Sequence, residues 1–190
     1  MKKTNFILEI YKNKQTVFRL SDIAMIFPQE DAKSLGDRIG YYVQTGKLLN
    51  LRKGIYAKPD YNPLEFANRL YTPSYISLEY VLQQAGMIFQ YDSRYTSISY
   101  LSRELEIDEK IYSYRRMKEE IIMNTTGIIC GNNNINIATP ERAMLDILYL
   151  NKDFYFDNLN SINKESITQI VPIYQSITLE KRTTKLLKNG

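Results

Sequence analysis

The cations in the first third of this sequence have types and spacing that suit contact with nucleic acid. Arg38, Arg52 and Lys53 lie in the stretch LGDRIGYYVQTGKLLNLRKGIYAKP, which has no acidic residue between Arg38 and Lys58. An arginine on an exposed helix face can donate two hydrogen bonds to a guanine edge, and cations on a hairpin can contact phosphates. A solvated basic surface is the alternative. We favour DNA contact.

Acidic side chains in the second half form the other group that suggests chemistry: Glu104, Glu106, Asp108, Glu119, Glu120, Glu141 and Asp146. A nuclease or hydrolase site needs carboxylates at a suitable spacing with a Lys or His partner, and the sequence has no His and no such spacing. It also lacks a phosphate-binding glycine loop and a metal-ligand cluster. We therefore predict no enzymatic activity, catalytic residue, metal or cofactor, with a metal-dependent nuclease as the alternative.

The single cysteine and the 16 tyrosines have structural interpretations. Cys130 lies in the apolar run IICGN, which predicts a buried thiol in a reducing compartment. Tyrosine favours strands, so the runs YISLEY, YDSRYTSISY and IYSYRR indicate the core and edge of a sheet. A protein interface and a stack of single-stranded bases are the alternatives for these runs.

Charge is distributed unevenly along the chain. Residues 1–60 contain 11 Lys and Arg against 6 Asp and Glu, a net charge of +5, and residues 61–190 contain 14 against 15, a net charge of −1. This asymmetry indicates a basic module that binds a polyanion and a near-neutral module with another role. Because no apolar run suits a signal peptide or approaches the roughly 18 residues of a membrane span, we predict a cytoplasmic protein without membrane association.

Three predicted helices position the first cations. The first runs from about Thr4 to Lys14, and the second begins at a Ser21 N-cap and stops at Pro28. The third runs from about Asp31 to Thr45, with Gly46 as its left-handed terminator. Its predicted core face consists of Leu35, Ile39, Tyr42 and Val43, and a second face consists of Ser34, Arg38, Tyr41 and Thr45. On that second face, Ser34 and Tyr41 can hydrogen-bond phosphates.

A basic hairpin follows the third helix. Its predicted strands are Lys47 to Leu51 and Ile55 to Lys58, with Arg52, Lys53 and Gly54 at the turn. Three helices followed by a hairpin is the order of a winged helix-turn-helix, in which the third helix enters the major groove and the hairpin contacts the backbone. We therefore predict an α+β protein whose winged helix-turn-helix domain spans residues 1–60.

A second, small mixed α+β domain is predicted over residues 61–190, after the linker KPDYNP at residues 58–63. PLEFANRLY and SYISLEYVLQQAG are predicted as helices, the latter with Ser77 as N-cap and Gly86 as its stop. YTSISYL, KIYSYRRM, GIICG and INIA are predicted as strands. TPERAMLDILYL is predicted as a helix with Thr139 as N-cap, and further helices end the chain.

Several of these segments together resemble the AbiE-type abortive-infection antitoxins, which are winged-helix transcriptional regulators of bacteria and their mobile elements. The segments are RLSDIA, GKLLNLRKGIYA, ANRLYTPSYISLEYVL, YTSIS and INIATPERAMLDILYL. The resemblance covers roughly residues 15 to 150 and implies an N-terminal winged helix followed by an antitoxin domain.

The resemblance also implies partners and a DNA face. The partners are double-stranded DNA, as inverted repeats in the protein's own promoter, and a nucleotidyltransferase-like toxin. The implied DNA-contacting residues are Ser34, Arg38, Tyr41, Lys47, Arg52 and Lys53. Glu141, Arg142 and Asp146 fall in the helix that matches the family pattern, and we interpret them as capping and structural groups.

Two functions follow as expectations. The first is a DNA-binding transcriptional autorepressor that is also the antitoxin of a toxin-antitoxin pair and acts by occupying a promoter. The alternative is a protein-interaction module that neutralises a nucleotidyltransferase-like toxin without binding DNA.

Overall fold

A computed structural model describes residues 5–189 and shows a mixed α+β chain that divides into two compact units between Leu70 and Tyr71. The sequence places this boundary at residues 58–63, so the two positions differ by one helix, Pro63–Leu70. That helix belongs to the first unit, where its buried Glu65 carboxylate accepts hydrogen bonds from the Thr16 hydroxyl (2.7 Å) and the Thr16 backbone N–H (3.0 Å).

Within residues 5–70, the first unit has four helices and three short strands. The predicted first helix is found at α1, while Thr4, its predicted start, lies outside the described residues. The strands form an antiparallel sheet in the order β1-β3-β2, with Phe18 opposite Tyr56. The elements are α1 (Phe6–Lys12), β1 (Val17–Arg19), α2 (Leu20–Ile26), α3 (Ala32–Gln44), β2 (Leu49–Arg52), β3 (Ile55–Ala57) and α4 (Pro63–Leu70).

The core of the first unit is built around Phe6. Its ring stacks on Phe27 and on Tyr42, with centroid distances of 4.4 Å and 5.4 Å. Leu35 and Ile39 of α3 are buried in the same cluster, and Tyr42 and Val43 pack against it. The predicted core face of the third helix is therefore confirmed.

The start of α2 differs from the prediction. Ser21 is not its N-cap, because the helix begins at Leu20 and Arg19 occupies the cap position. The Asp22 carboxylate accepts a hydrogen bond from the Arg19 backbone N–H (2.8 Å) and pairs with the guanidinium of Arg69 (2.6 Å). Asp22 thus provides the side-chain hydrogen bond at the start of α2 that the sequence predicts from the Ser21 hydroxyl.

The second unit is built on a six-stranded sheet in the order β6-β7-β5-β4-β9-β8. The pairs β4–β9 and β5–β7 are parallel, and the other neighbouring strands are antiparallel. No helix within residues 5–189 combines the length and apolar character needed to cross a bilayer. The elements are β4 (Ser74–Ile76), α5 (Glu79–Gln84), β5 (Tyr95–Ser99), β6 (Arg103–Ile107), β7 (Lys110–Arg116), α6 (Glu119–Met123), β8 (Ile128–Cys130), β9 (Asn136–Ala138), α7 (Pro140–Leu150), α8 (Lys164–Ile170) and α9 (Ile177–Asn189).

Three local predictions in the second unit have different outcomes. Thr139 is the N-cap of α7 and its hydroxyl accepts a hydrogen bond from the Arg142 backbone N–H (3.3 Å), as predicted. Ser77 is not a helix cap, because the preceding residues form the buried strand β4 and its hydroxyl donates to Asp146 (2.7 Å). Cys130 is exposed rather than buried, because it ends β8, a strand at the edge of the sheet.

Candidate nucleic-acid interface

The third helix is held with one polar face outward. The Asp31 carboxylate caps its N-terminus by accepting hydrogen bonds from the backbone N–H groups of Lys33 and Ser34, each at 3.0 Å. Leu35 and Ile39 anchor the opposite face in the core. The Ser34 side chain is therefore exposed in the first turn of α3, as its predicted role requires.

Asp37 and Tyr41 lie near the middle of the exposed face of α3. Successive residues of a helix are rotated by about 100°, so Arg38 is displaced from that middle toward the core face. Asp37 is exposed, and the Tyr41 side chain is 58% exposed with its ring packed edge-on against Tyr42 at 5.2 Å. The outward surface of this helix thus presents a carboxylate beside a phenol.

Arg38 has partners within the first unit. Its Nη1 forms an ion pair with Glu30 Oε1, and its guanidinium carbon lies 4.6 Å from the centroid of the Phe6 ring. The side chain is 38% exposed, and that of Glu30 is 19% exposed. These contacts link α3 to α1 and to the turn before α3, so the guanidinium has structural contacts in addition to its predicted role at a guanine edge.

The hairpin of β2 and β3 carries two adjacent cations at its tip. Arg52 ends β2, Lys53 follows, and both are exposed. Gly54 has a φ of +80°, a conformation that favours glycine and closes the tight turn. Its carbonyl accepts a hydrogen bond from the Leu20 backbone N–H (3.0 Å), so the tip is attached to the start of α2.

The chain between α3 and the hairpin is held by tyrosines. The Lys47 carbonyl accepts a hydrogen bond from the Tyr11 hydroxyl (2.9 Å), and the Lys47 ammonium lies 5.9 Å from the centroid of the Tyr42 ring. Lys47 is exposed. Its charge is therefore available to solvent beside the C-terminal end of α3.

Lys58, the last cation of the basic stretch, is not part of this surface. It is buried, and its ammonium donates to the Asn13 carbonyl (2.6 Å). Burial lowers the pKa of Lys58, while the carboxylates of Asp60 and Glu65 act in the opposite direction. Its position indicates a structural role between the strand end and α1.

The six predicted residues therefore fall into three groups. Ser34, Arg38 and Tyr41 lie along α3, Lys47 follows its C-terminal end, and Arg52 and Lys53 share the hairpin tip. Lys33 and Asp37 lie outside the predicted surface, although both are exposed on α3. On a helical wheel both residues lie near Tyr41 and opposite Ile39, and this position identifies them as part of the exposed face.

A buried polar cluster lies in the second unit around Arg142 and Asp146. Both side chains are fully buried, and their ion pair has an Nε–Oδ1 distance of 3.3 Å. Asp146 also accepts hydrogen bonds from the hydroxyls of Tyr174 (2.6 Å), Ser77 (2.7 Å) and Tyr75 (3.1 Å). These contacts join α7 to β4 and to the turn that contains Tyr174.

The remaining donors of Arg142 bind backbone carbonyls and the Tyr75 hydroxyl. Its Nη2 donates to the Ile121 carbonyl (2.7 Å) and its Nη1 to the Thr126 carbonyl (2.9 Å). Glu141, next to it, accepts a hydrogen bond from the Asn163 backbone N–H (3.0 Å) at the start of α8. The predicted structural interpretation of Glu141, Arg142 and Asp146 agrees with these contacts.

The ionisation of this cluster reflects its burial. Burial raises the pKa of the Tyr75 and Tyr174 phenols well above their usual value, and the Asp146 carboxylate raises them further. Burial also raises the pKa of Asp146, against the effect of the Arg142 guanidinium. Burial lowers the pKa of Arg142, but nearby Tyr174 and Asp146 more than offset this, so its pKa is raised overall. The phenols thus remain hydrogen-bond donors within the core.

Across residues 5–189, no group of three or more Asp, Glu or Cys side chains has a geometry that suits a metal ion. Compared with protein-family models and with curated proteins, the chain matches none.

Proposed function

We propose that the first unit is a winged helix-turn-helix domain that binds double-stranded DNA, and that the protein represses transcription from its own promoter. The order of α1, α2 and α3 followed by the β2–β3 hairpin, with β1 completing the sheet, supports this fold. One observation carries the proposal. A capped helix with an exposed polar face is followed directly by a hairpin with two exposed cations at its tip.

In this proposal the protein acts by occupying DNA. The helix α3 enters the major groove, where Ser34 and Tyr41 are within reach of bases and phosphates, while Arg52 and Lys53 contact the flanking backbone. Lys47 adds a phosphate contact at the C-terminal end of the helix. Binding requires no covalent step, because promoter occupancy alone blocks transcription.

The antitoxin part of the proposal rests on the resemblance to AbiE-type antitoxins. It assigns inverted repeats in the protein's own promoter as the operator and a nucleotidyltransferase-like toxin as the partner in the pair. The second unit then contributes the antitoxin function. Co-expression with the toxin tests this part, and growth that is not restored by the protein contradicts it.

The DNA-binding part is tested by fluorescence anisotropy of the full chain on its own upstream DNA and on a scrambled duplex. We expect tighter binding to the upstream DNA and an affinity that falls as salt is added, because each phosphate contact releases counterions. Absence of binding to either duplex at low salt would overturn the DNA-binding proposal.

Two variants sharpen the test. Each phosphate contact contributes about 0.9 to the slope of log affinity against log salt. Arg52→Ala combined with Lys53→Ala should therefore reduce this slope by about two. Lys118→Ala, which removes an exposed cation of the second unit, is the matched control and should leave the slope unchanged. An unchanged slope in the double variant would exclude the hairpin from the interface.

A protein-interaction module without DNA binding is the second candidate. The observation that favours it is the exposed carboxylate of Asp37 on α3 together with the engagement of Arg38 by Glu30. Both features reduce the positive potential of the helix. This candidate requires a stable complex with the toxin on co-purification and no salt-sensitive binding to the upstream DNA.

A further inference from the structure

The second unit contains an open cleft of about 650 Å³ between two loops. One loop connects α5 to β5 and includes Phe89 and Tyr91, and the other follows α7 and includes Tyr155. The buried side chain of Ile88 is also part of its lining. None of its lining residues is among those proposed above to contact DNA.

Three aromatic side chains of this cleft are unusually accessible. Phe89, Tyr91 and Tyr155 are 72%, 79% and 77% exposed. Single exposed apolar residues are ordinary on a protein surface, but aromatic residues gathered around one cleft are typical of a binding site. Rings of this kind provide flat apolar area, and their faces attract cations.

Backbone hydrogen bonds hold the two loops together. The Asp157 carboxylate accepts a hydrogen bond from the Phe89 backbone N–H (2.8 Å), and the Asp157 backbone N–H donates to the Met87 carbonyl (2.9 Å). The Asp92 backbone N–H donates to the side chain of Gln83 in α5 (3.2 Å). These bonds fix the cleft walls before any ligand arrives, which lowers the ordering cost of binding.

The charge of the cleft is opposite to that of the whole chain. Its lining contains four carboxylates, those of Glu79, Asp92, Asp153 and Asp157, and one guanidinium, that of Arg94. Arg94 is engaged by Asp92 (2.6 Å) and by Glu104 (3.3 Å). The cleft is therefore negative, whereas the chain has a formal net charge of +4.

We propose that this cleft binds a basic segment of a partner protein, with arginine or lysine side chains against the aromatic rings and carboxylates and apolar side chains toward Ile88. Charge complementarity selects this occupant, since an acidic segment would meet repulsion and a nucleic acid would meet carboxylates. The rings of Tyr91 and Tyr155 provide the faces for cation–π contact. The inference does not depend on DNA binding by the first unit.

Tyr155 also marks the limit of this surface. An adjacent cleft of about 600 Å³ shares Tyr155 and Asp157 with the first and is also lined by Lys152, Arg182 and Lys185. The charge thus changes sign across one loop. The proposed basic segment therefore binds in the cleft that contains Tyr91 and not in the adjacent cleft.

The test uses the full chain and two fluorescein-labelled peptides in anisotropy titrations. One peptide alternates arginine and leucine, and the other has glutamate in place of each arginine. We expect the arginine peptide to bind and its affinity to fall as salt is added. We expect the glutamate peptide to bind at least tenfold more weakly.

Variants of the cleft identify the binding surface. Tyr91→Ala combined with Tyr155→Ala should weaken the arginine peptide about thirtyfold, a loss typical of central aromatic residues in an interface. Asp153→Asn should weaken it about threefold. Tyr100→Ala and Glu106→Gln remove an exposed tyrosine and an exposed carboxylate outside the cleft and should leave the affinity unchanged.

Four results would overturn the proposal. They are no binding of the arginine peptide, equal binding of the two peptides, unchanged affinity in the folded double tyrosine variant, and a concentration-dependent dimer that this variant abolishes. The last result would identify a second copy of the chain as the occupant. Circular dichroism verifies that each variant is folded. A failure of DNA binding would leave all of these outcomes unchanged, so the two proposals are tested separately.

Discussion

The guanidinium carbon of Arg38 lies 4.6 Å from the centroid of the Phe6 ring, at the junction of α3 and α1. Its Nη1 also pairs with Glu30, a residue in the turn before α3. A residue that the sequence suggests as a reader of bases therefore makes contacts that hold the helix in place. The orientation of the exposed face depends in part on this one side chain.

Replacement of Arg38 by Gln should separate structural support from phosphate contact. We expect Arg38→Gln to lower the free energy of unfolding by about 1 kcal/mol, because a cation–π contact and a partly exposed ion pair are lost. We also expect the salt slope of DNA binding to stay the same. Urea denaturation and anisotropy measure the two quantities.

Lys53→Gln is the control for this pair of measurements. It lies at the exposed hairpin tip and should lower the salt slope by about one while leaving stability within about 0.5 kcal/mol. If Arg38→Gln instead lowers the slope and leaves stability intact, Arg38 contacts a phosphate and its support role is wrong.

Asp37 should oppose DNA binding, because its carboxylate is exposed near the middle of the outward face of α3. Removing a like charge close to phosphates is worth about 1 kcal/mol, so Asp37→Asn should tighten binding to every duplex about fivefold in anisotropy titrations. Asp60→Asn, an exposed carboxylate of the same unit, is the control. A loss of affinity confined to one C·G pair of the operator would show that Asp37 accepts a hydrogen bond from cytosine.

Gly127 should not tolerate a side chain. Its φ is +75°, and an added Cβ would lie 2.9 Å from Ile170 Cδ1 and 3.0 Å from Arg142 Cβ. We expect Gly127→Ala to destabilise the protein by about 3 kcal/mol, from backbone strain and overpacking together. Gly86→Ala isolates the strain, since Gly86 has a φ of +65° with open space around it, and should cost about 1 kcal/mol. Equal losses of unfolding free energy in the two variants, measured by denaturation, would show that the side chains around Gly127 move to accommodate the added methyl group.

Asp92 should make the protein less stable in acid. Hydrogen bonds from the Arg94 guanidinium lower the pKa of Asp92 below its ordinary 3.8. The ionised carboxylate therefore stabilises the folded state above pH 3.8, and this stabilisation is lost as the pH falls through the lower folded-state pKa. Asp92→Asn should reduce the fall in unfolding free energy between neutral and strongly acidic pH. Urea denaturation at the two pH values measures this fall, with Asp153→Asn as the control. An equal reduction in both variants would contradict the assigned role of Asp92.

Local signals in the sequence predicted much of the fold. Thr139 caps the helix that the sequence predicts it to cap, α3 begins next to the predicted Asp31, and Gly46 has the left-handed backbone expected after α3. Each of these features depends on residues within one helical turn, so the local sequence contains the relevant information. The face of α3 that packs into the core was predictable for the same reason.

Features that depend on distant partners were not predictable. Ser77 resembles a helix cap, but its hydroxyl donates to Asp146, which is 69 positions away. Cys130 resembles a core residue, but the order of strands places it at a sheet edge. The sequence does not predict strand β6, and Glu104 and Glu106 of this strand are identified there only as carboxylates without a catalytic spacing. Pairing with β7 gives that segment its structure.

The parallel pairing of β4 with β9 has a consequence for synthesis of the chain. Ile76 is opposite Ile137, so the inner strand β4 cannot pair with β9 until about sixty more residues have been synthesised. The whole first unit is synthesised before β9. Pairing between strands that are distant in sequence is also slow to form. A nascent chain that stops before β9 presents the bare edge of β4, where it is open to aggregation and to chaperones.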